Sequence, residues 1–361
     1  MNQINMHLFG KDDLKSLRIS TSDKLGLVSN LATMLTAGIP ILEVVDSLLE
    51  DAKGSQKKFL ESLKMDLSQG NHMADALSKF PKVFDKITVN LIKASEEAGT
   101  LDVTLTDLKS SIKKDAEFSD KIKGALTYPV LIMFVFAGVL LMILIVVVPK
   151  ISSVFSRLNA ELPLPTVVLI GLSNLITQYT LLVIIVLIVT SIGLFFLYRE
   201  KKREFLHLLF RLPLVSQLAQ QIDLTRFSRS LYLLLNAGIP IASALELAQE
   251  VVLKKEVAES IAKCKEVVLA GSQLSEGLKK AKGIFPSIMI KITEAGEKSG
   301  SLDKSMQDIS EYLDYQVEKT LKTLTTLLEP IMLIFVGVLV GGMMLAIIAP
   351  IYGLIGQVAS K

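Results

Sequence analysis

The chain has 361 residues, half of them hydrophobic and 21% charged, with a formal net charge of +3. Together with a positive mean hydropathy, that mixture suits a membrane protein carrying sizeable water-exposed domains. Near-balanced charge, no long Lys/Arg run and no tryptophan argue against nucleic acid as a direct partner. A lone cysteine, Cys264, excludes an intramolecular disulfide framework and suggests a reducing compartment.

Residues 1–21 carry Lys11, Asp12, Asp13, Lys15 and Arg18 and no apolar run, so no secretory signal is expected and the N-terminal segment reads as cytoplasmic. From Ser22 the apolar spacing becomes helical through Leu27, Leu31, Met34 and Leu35, with Ser22 or Asp23 placed to cap the start. Gly38 stands where a left-handed residue would end that helix, and Pro40 at the first position of the next. Ile41, Val44, Val45, Leu48 and Leu49 continue as one stripe. Further helices are predicted over roughly Gln56–Gln69, Met73–Lys79, Phe84–Glu97 and Leu101–Lys123, with breaks at Gly54, Gly70-Asn71, Phe80-Pro81 and Gly99. Residues 22–128 therefore read as an all-α cytoplasmic domain of about six helices.

Residues 129–148 are uncharged and, at about 1.5 Å per residue, match a hydrocarbon layer of roughly 30 Å. Pro129 is expected at the start of this first span. Residues 149–179 read as an external loop, reaching Pro165, followed by an interfacial or lead-in helix over 167–178. A second span is expected at 180–198, closed by Arg199-Glu200-Lys201-Lys202-Arg203. Residues 199–329 form the second cytoplasmic domain, 330–349 the third span ending at Pro350, and 350–361 a short external terminus. Lys113, Lys114, Lys121 and Lys123 before the first span, against few positives in the loop, put both large domains inside.

The second half rewrites the first. Leu35-Thr36-Ala37-Gly38-Ile39-Pro40-Ile41 returns 200 positions later as Leu235-Asn236-Ala237-Gly238-Ile239-Pro240-Ile241. With one residue inserted, Glu96 matches Glu297, Gly99 matches Gly300 and Leu101 matches Leu302. Tyr128-Pro129 likewise matches Glu329-Pro330, and Pro149 matches Pro350. Two copies in one orientation, each running into a span, need an additional span between them, which the middle segment supplies.

Little in the chain invites chemistry. There is no phosphate-binding glycine loop, and His7, His72 and His207 lack ligand-spaced partners. Cys264, between two lysines on a predicted helix, reads as an ordinary helix residue. The recurring acids are Glu96, Glu97 and Asp102 with Glu294, Glu297 and Asp303. They could cap the helices at Leu101 and Leu302 or form salt bridges; a partner surface and a divalent-cation site are the alternatives. Gly337 and Gly341 form a Gly-x-x-x-Gly pair suited to close helix contact in lipid, with this chain's other spans or with a second copy. Three apolar spans without a charged residue leave little room for a transport path, the rival reading.

The repeated Ala-Gly-Ile-Pro, Glu-x-x-Gly-x-Leu and Tyr/Glu-Pro strings, in order at one offset, resemble the type II secretion system F family over about Thr21 to Gln357. The first copy departs at Ser95, where the second has Gly296. The resemblance implies a non-enzymatic inner-membrane platform of type II secretion or type IV pilus machines, without a cofactor. It also implies an assembly ATPase in the cytoplasm, pilin or pseudopilin subunits, other inner-membrane assembly proteins and lipid as partners. Self-association as a dimer or higher oligomer follows from it as well.

Overall fold

A computed structural model describes residues 15–157, 164–179, 193, 213–281 and 283–359. All regular structure among these residues is helical. The first copy supplies α1 (Thr21–Thr36), α2 (Ile41–Asp51), α3 (Gly54–Ser68), α4 (Met73–Ser78), α5 (Lys86–Ala98) and α6 (Leu101–Met142). A π-helical turn, Ile143–Val147, leads to α7 (Val148–Arg157), and α8 covers Leu164–Gln178. The second copy supplies α9 (Pro213–Asn236), α10 (Ile241–Gln249), α11 (Lys255–Leu269), α12 (Leu274–Lys280), α13 (Ser287–Ser299) and α14 (Leu302–Ala359).

The repeated heptapeptide closes one helix and opens another with the same geometry in both copies. Gly38 adopts φ +81° and Gly238 φ +77°, a left-handed conformation that Cβ disfavours. Ile39 N–H then reaches Met34 O at 3.1 Å and Ile239 N–H reaches Leu234 O at 3.0 Å, the six-to-one bond of a Schellman ending. Pro40 and Pro240 are extended cap residues, and the next helices begin at Ile41 and Ile241, one position later than expected. The start of α1 also differs: Ser20, not Ser22 or Asp23, accepts from Asp23 N–H, and its hydroxyl donates back to the Asp23 carboxylate at 2.7 Å. This is an ordinary serine N-cap, with the N3 carboxylate bonded to the cap's hydroxyl and not to its backbone N–H.

The chain divides into two units. The first joins the described residues up to Lys121 with Gln217–Lys319. It holds two apolar cores. One is built around Phe59, Phe80 and Phe84, with the first two rings edge to face at 5.0 Å between centroids. The other is built around Phe227 and Phe285, 6.5 Å apart. Helix α5 serves both: Ile92 belongs to the first core, whereas Ile87 and Leu91 are buried in the second.

The second unit takes in residues from Ile122 and from Thr320 onward. Two apolar runs, within Leu101–Val154 and Leu302–Ile348, are long enough to cross a membrane. The expected span at 180–198 lies outside the described residues, apart from helical Gly193. Three expectations are corrected here. Pro129 sits inside α6 instead of starting a helix, Pro350 sits inside α14 instead of ending one, and the segment after residue 149 continues as α7. In an apolar phase an irregular backbone would strand several polar groups, whereas an interior proline strands only one or two, so the helix runs on. Phe136 and Phe335, on the two runs, meet at 6.4 Å.

Candidate functional site

The Glu-x-x-Gly-x-Leu string acquires a physical meaning for each of its named positions. Glu96 accepts Met73 N–H at 2.6 Å on one oxygen and Ala74 N–H at 3.0 Å on the other. Glu297 does the same for Leu274 N–H and, at 3.2 Å, Ser275 N–H. These are the first two amides of α4 and α12, short helices whose own cap residues, His72 and Gln273, make no side-chain cap bond. The carboxylates thus do not cap the helices at Leu101 and Leu302. They cap helices more than twenty residues upstream, and the acids in the first turns of α6 and α14 are Asp102 and Asp303. A local reading favours the nearest helix start; tertiary folding presents the carboxylate to a different one. Gly99 (φ +71°) and Gly300 (φ +72°) end α5 and α13 in the left-handed conformation. Leu101 and Leu302 pack on the first and second cores.

The Ser95/Gly296 departure between the copies has a steric basis. A Cβ placed on Gly296 would lie 2.1 Å from Ser305 Oγ and 2.7 Å from its Cβ. In the first copy Ser95 is buried and bonds Ile92 O at 2.9 Å, so there the helices leave room for a side chain. Glu294 is partly exposed and paired with Lys279 at 3.0 Å and Lys298 at 2.9 Å. Those two ammonium groups hold its carboxyl down at about 2. Glu329 and Pro330 are exposed on α14. A Cβ on Gly337 or Gly341 would meet nothing within 4 Å among the described residues. No group of three or more potential metal-ligating side chains gathers among the described residues.

Sequence reasoning did not single out the junction between the copies. Arg229, on α9 and with its side chain 8% exposed, bridges Asp115 on α6 and Asp314 on α14. Seven residues on, Asn236 Nδ2 donates to Asp107 at 2.8 Å, so α9 runs antiparallel along α6. Burial pushes both Asp107 and Asp115 up, against the pull of Asn236 on the first and of Arg229 and Arg226 on the second. Between these rungs lies a polar cavity of about 90 Å³, lined by Asp107, Ser110, Ser111, Lys114, Tyr232 and Ser310 among others. Lys114–Glu311 (3.0 Å) and Lys121–Glu318 (2.9 Å) share one sequence offset, so α6 and α14 run parallel in a fixed register. Breaking the Arg229 bridge at its half-exposed carboxylates should cost between the ~1 kcal/mol of a surface pair and the ~3–5 kcal/mol of a buried one. Asp223 was likewise unforeseen: it is buried, and accepts Leu253 N–H at 3.0 Å and Lys254 N–H at 2.7 Å at the start of α11. The signal for Arg229 was an asymmetry, since the first copy has Ser29 at the matching position.

The family model for type II secretion system (T2SS) protein F matches the chain twice, over residues 27–149 and 227–350. The chain belongs to the type II secretion system protein F family. The two matches begin 200 positions apart and end 201 apart, the same duplication that the caps and corners display. This F-family chain is 34% identical to the type IV pilus assembly protein PilC of Thermus thermophilus, over 91% of its own length and 82% of the relative's. It is 32% identical to PilC of Pseudomonas aeruginosa, over 90% and 87%. To the type II secretion system protein F of the same organism it is 30% identical, over 93% and 84%. The features common to both copies, Glu96/Glu297, Gly99/Gly300 and Gly38/Gly238, all act on the backbone of this chain.

Proposed function

We propose that this chain is the inner-membrane platform protein of a type IV pilus or type II secretion machine. In this reading it couples a cytoplasmic assembly ATPase to the insertion of pilin or pseudopilin subunits into a fibre. The observation that carries it is the doubled family match, with each copy a helical bundle whose last helix continues into an apolar run. Relatives named for type IV pilus assembly and for type II secretion match over nine-tenths of the chain, which supports the shared role and not one machine over the other.

The role is mechanical and non-enzymatic. Both bundles and the N-terminal segment face the cytoplasm, three spans lie at 129–148, 180–198 and 330–349, and the protein works as a dimer or higher oligomer. The parallel register of α6 and α14 supports a part that carries displacement, because two cross-braced helices bend less than one. The test is co-purification of the assembly ATPase with the full-length protein from membranes, with and without charge reversal on the bundles' exposed faces. Retention by the native protein and loss in some reversed variants is the expected result; an ATPase that never co-purifies would refute the coupling. For topology, Asn159→Cys should react with an impermeant thiol reagent from outside intact cells and Lys202→Cys should not.

A further inference from the structure

Proline lacks an N–H, so a helix passing through it leaves one upstream carbonyl without its backbone donor. In α14 the α-helical donor to Ala346 O would be residue 350, which is Pro350. In the first run the π turn shifts the ladder by one: Val148 N–H bonds Ile143 O. The donor next in that register, for Leu144 O, would therefore be Pro149. These two prolines are repeat equivalents, and the two orphaned carbonyls are the ones that α8 serves. Thr166 Oγ1 donates to Ala346 O at 2.5 Å, and Ser173 Oγ donates to Leu144 O at 2.5 Å. Thr166 and Ser173 stand seven residues apart, two turns, on one face of α8. Both hydroxyls are buried, as are Leu144, Val148 and Ala346 around them.

We propose that α8 is a latch, in which Thr166 and Ser173 hold the two repeat-equivalent spans together through the carbonyls that Pro350 and Pro149 leave without a donor. The segment read from sequence as an interfacial or lead-in helix thus becomes the element that sets the spacing of the first and third spans. The apolar surroundings make the pairing selective, since no water competes for an orphaned carbonyl there. The latch is also releasable at its Ser173 end. A serine or threonine in a helix can turn its hydroxyl back to the carbonyl four residues earlier, as Thr177 does toward Ser173 O at 2.7 Å in this same helix. Ser173 therefore has a second partner within α8, the carbonyl of Leu169, and each latch bond is of a kind that adds only modestly to stability in lipid.

The test is a cross-linking cycle on the full chain in lipid nanodiscs, and it holds whatever machine the protein serves. Phe136→Cys and Phe335→Cys place thiols on the two spans where the rings now meet, and disulfide formation under mild oxidant reads their proximity. Cys264 stays silent, being buried with its thiol pushed up to about 11. Removing a hydroxyl by Ser173→Ala or Thr166→Val should slow cross-linking about threefold per bond. Pro149→Ala or Pro350→Ala, which restores the missing N–H, should slow it similarly. In each proline-free background the matching hydroxyl change should then have no further effect. Cross-linking unchanged by removal of either hydroxyl, or proline and hydroxyl effects that simply multiply, would overturn the latch. A folded variant is confirmed in each case by unchanged helical circular dichroism of the nanodisc sample.

Discussion

Replacing Glu297 by alanine should destabilise the second bundle far more than replacing its partly exposed neighbour Glu294. The Glu297 carboxylate takes the first two amides of α12, and Leu274 and Leu278 of that helix lie in the same core as Cys264. Hydrogen bonds to a charged group contribute about 1.5–3 kcal/mol each, and loss of an ordinary cap costs about 0.5–2 kcal/mol. Because the two bonds share one carboxylate and a half-buried setting, about 2–4 kcal/mol is the expected loss. For a cooperative unit of this size that lowers the midpoint by roughly 5–15 °C. The assay is thermal exposure of Cys264 to a thiol-reactive fluorophore, which reports on this core because the thiol is buried in it. Glu297→Gln, keeping one acceptor oxygen and losing the charge, should fall between. A Glu297→Ala midpoint no lower than that of Glu294→Ala would show that the long-range cap contributes nothing, and the physical account of the repeated string would fail.

Three further outcomes follow from the same structure. Gly296→Ala should cost about 1–3 kcal/mol by overpacking against Ser305, whereas Ser95→Ala in the first copy should be milder; comparing their midpoints checks the steric account of the Ser95/Gly296 departure. Gly238→Ala should cost about 1–2 kcal/mol through its left-handed φ alone, measured by denaturant unfolding with an unchanged slope. Glu294, held down at about 2 by Lys279 and Lys298, contributes stability above its unfolded value near 4.5 that is lost as pH falls toward 2. Glu294→Gln should lack that acid limb, so identical acid profiles for native and variant protein would remove the ion pairs from the account.

Much of the candidate site was legible because it is local. The heptapeptide corner needed only the left-handed tolerance of glycine and the fixed φ of proline, both properties of single residues. The duplication was legible for a different reason: two copies under the same packing demands keep the same spacing. What local reading could not supply was the partner of each polar group. Glu96 lies near the start of α6 in sequence yet turns to α4, and Arg229 finds its two carboxylates on helices from different copies. The prolines at 129, 149 and 350 were read as boundaries because they break helices in water. In an apolar phase an irregular backbone costs more than the broken bond, and the helices pass through.

The sequence by itself determined the all-helical class, the tandem repeat and the family, since these rest on periodicity, apolar length and strings that recur. Only the tertiary structure decided which amides the repeated glutamates cap, where the two copies are pinned together, and how α8 meets the carbonyls that two prolines set free. The physical reason is that hydrogen-bond demand is local whereas its satisfaction is not. A sequence shows which groups lack a partner, and the fold chooses the residue that supplies it.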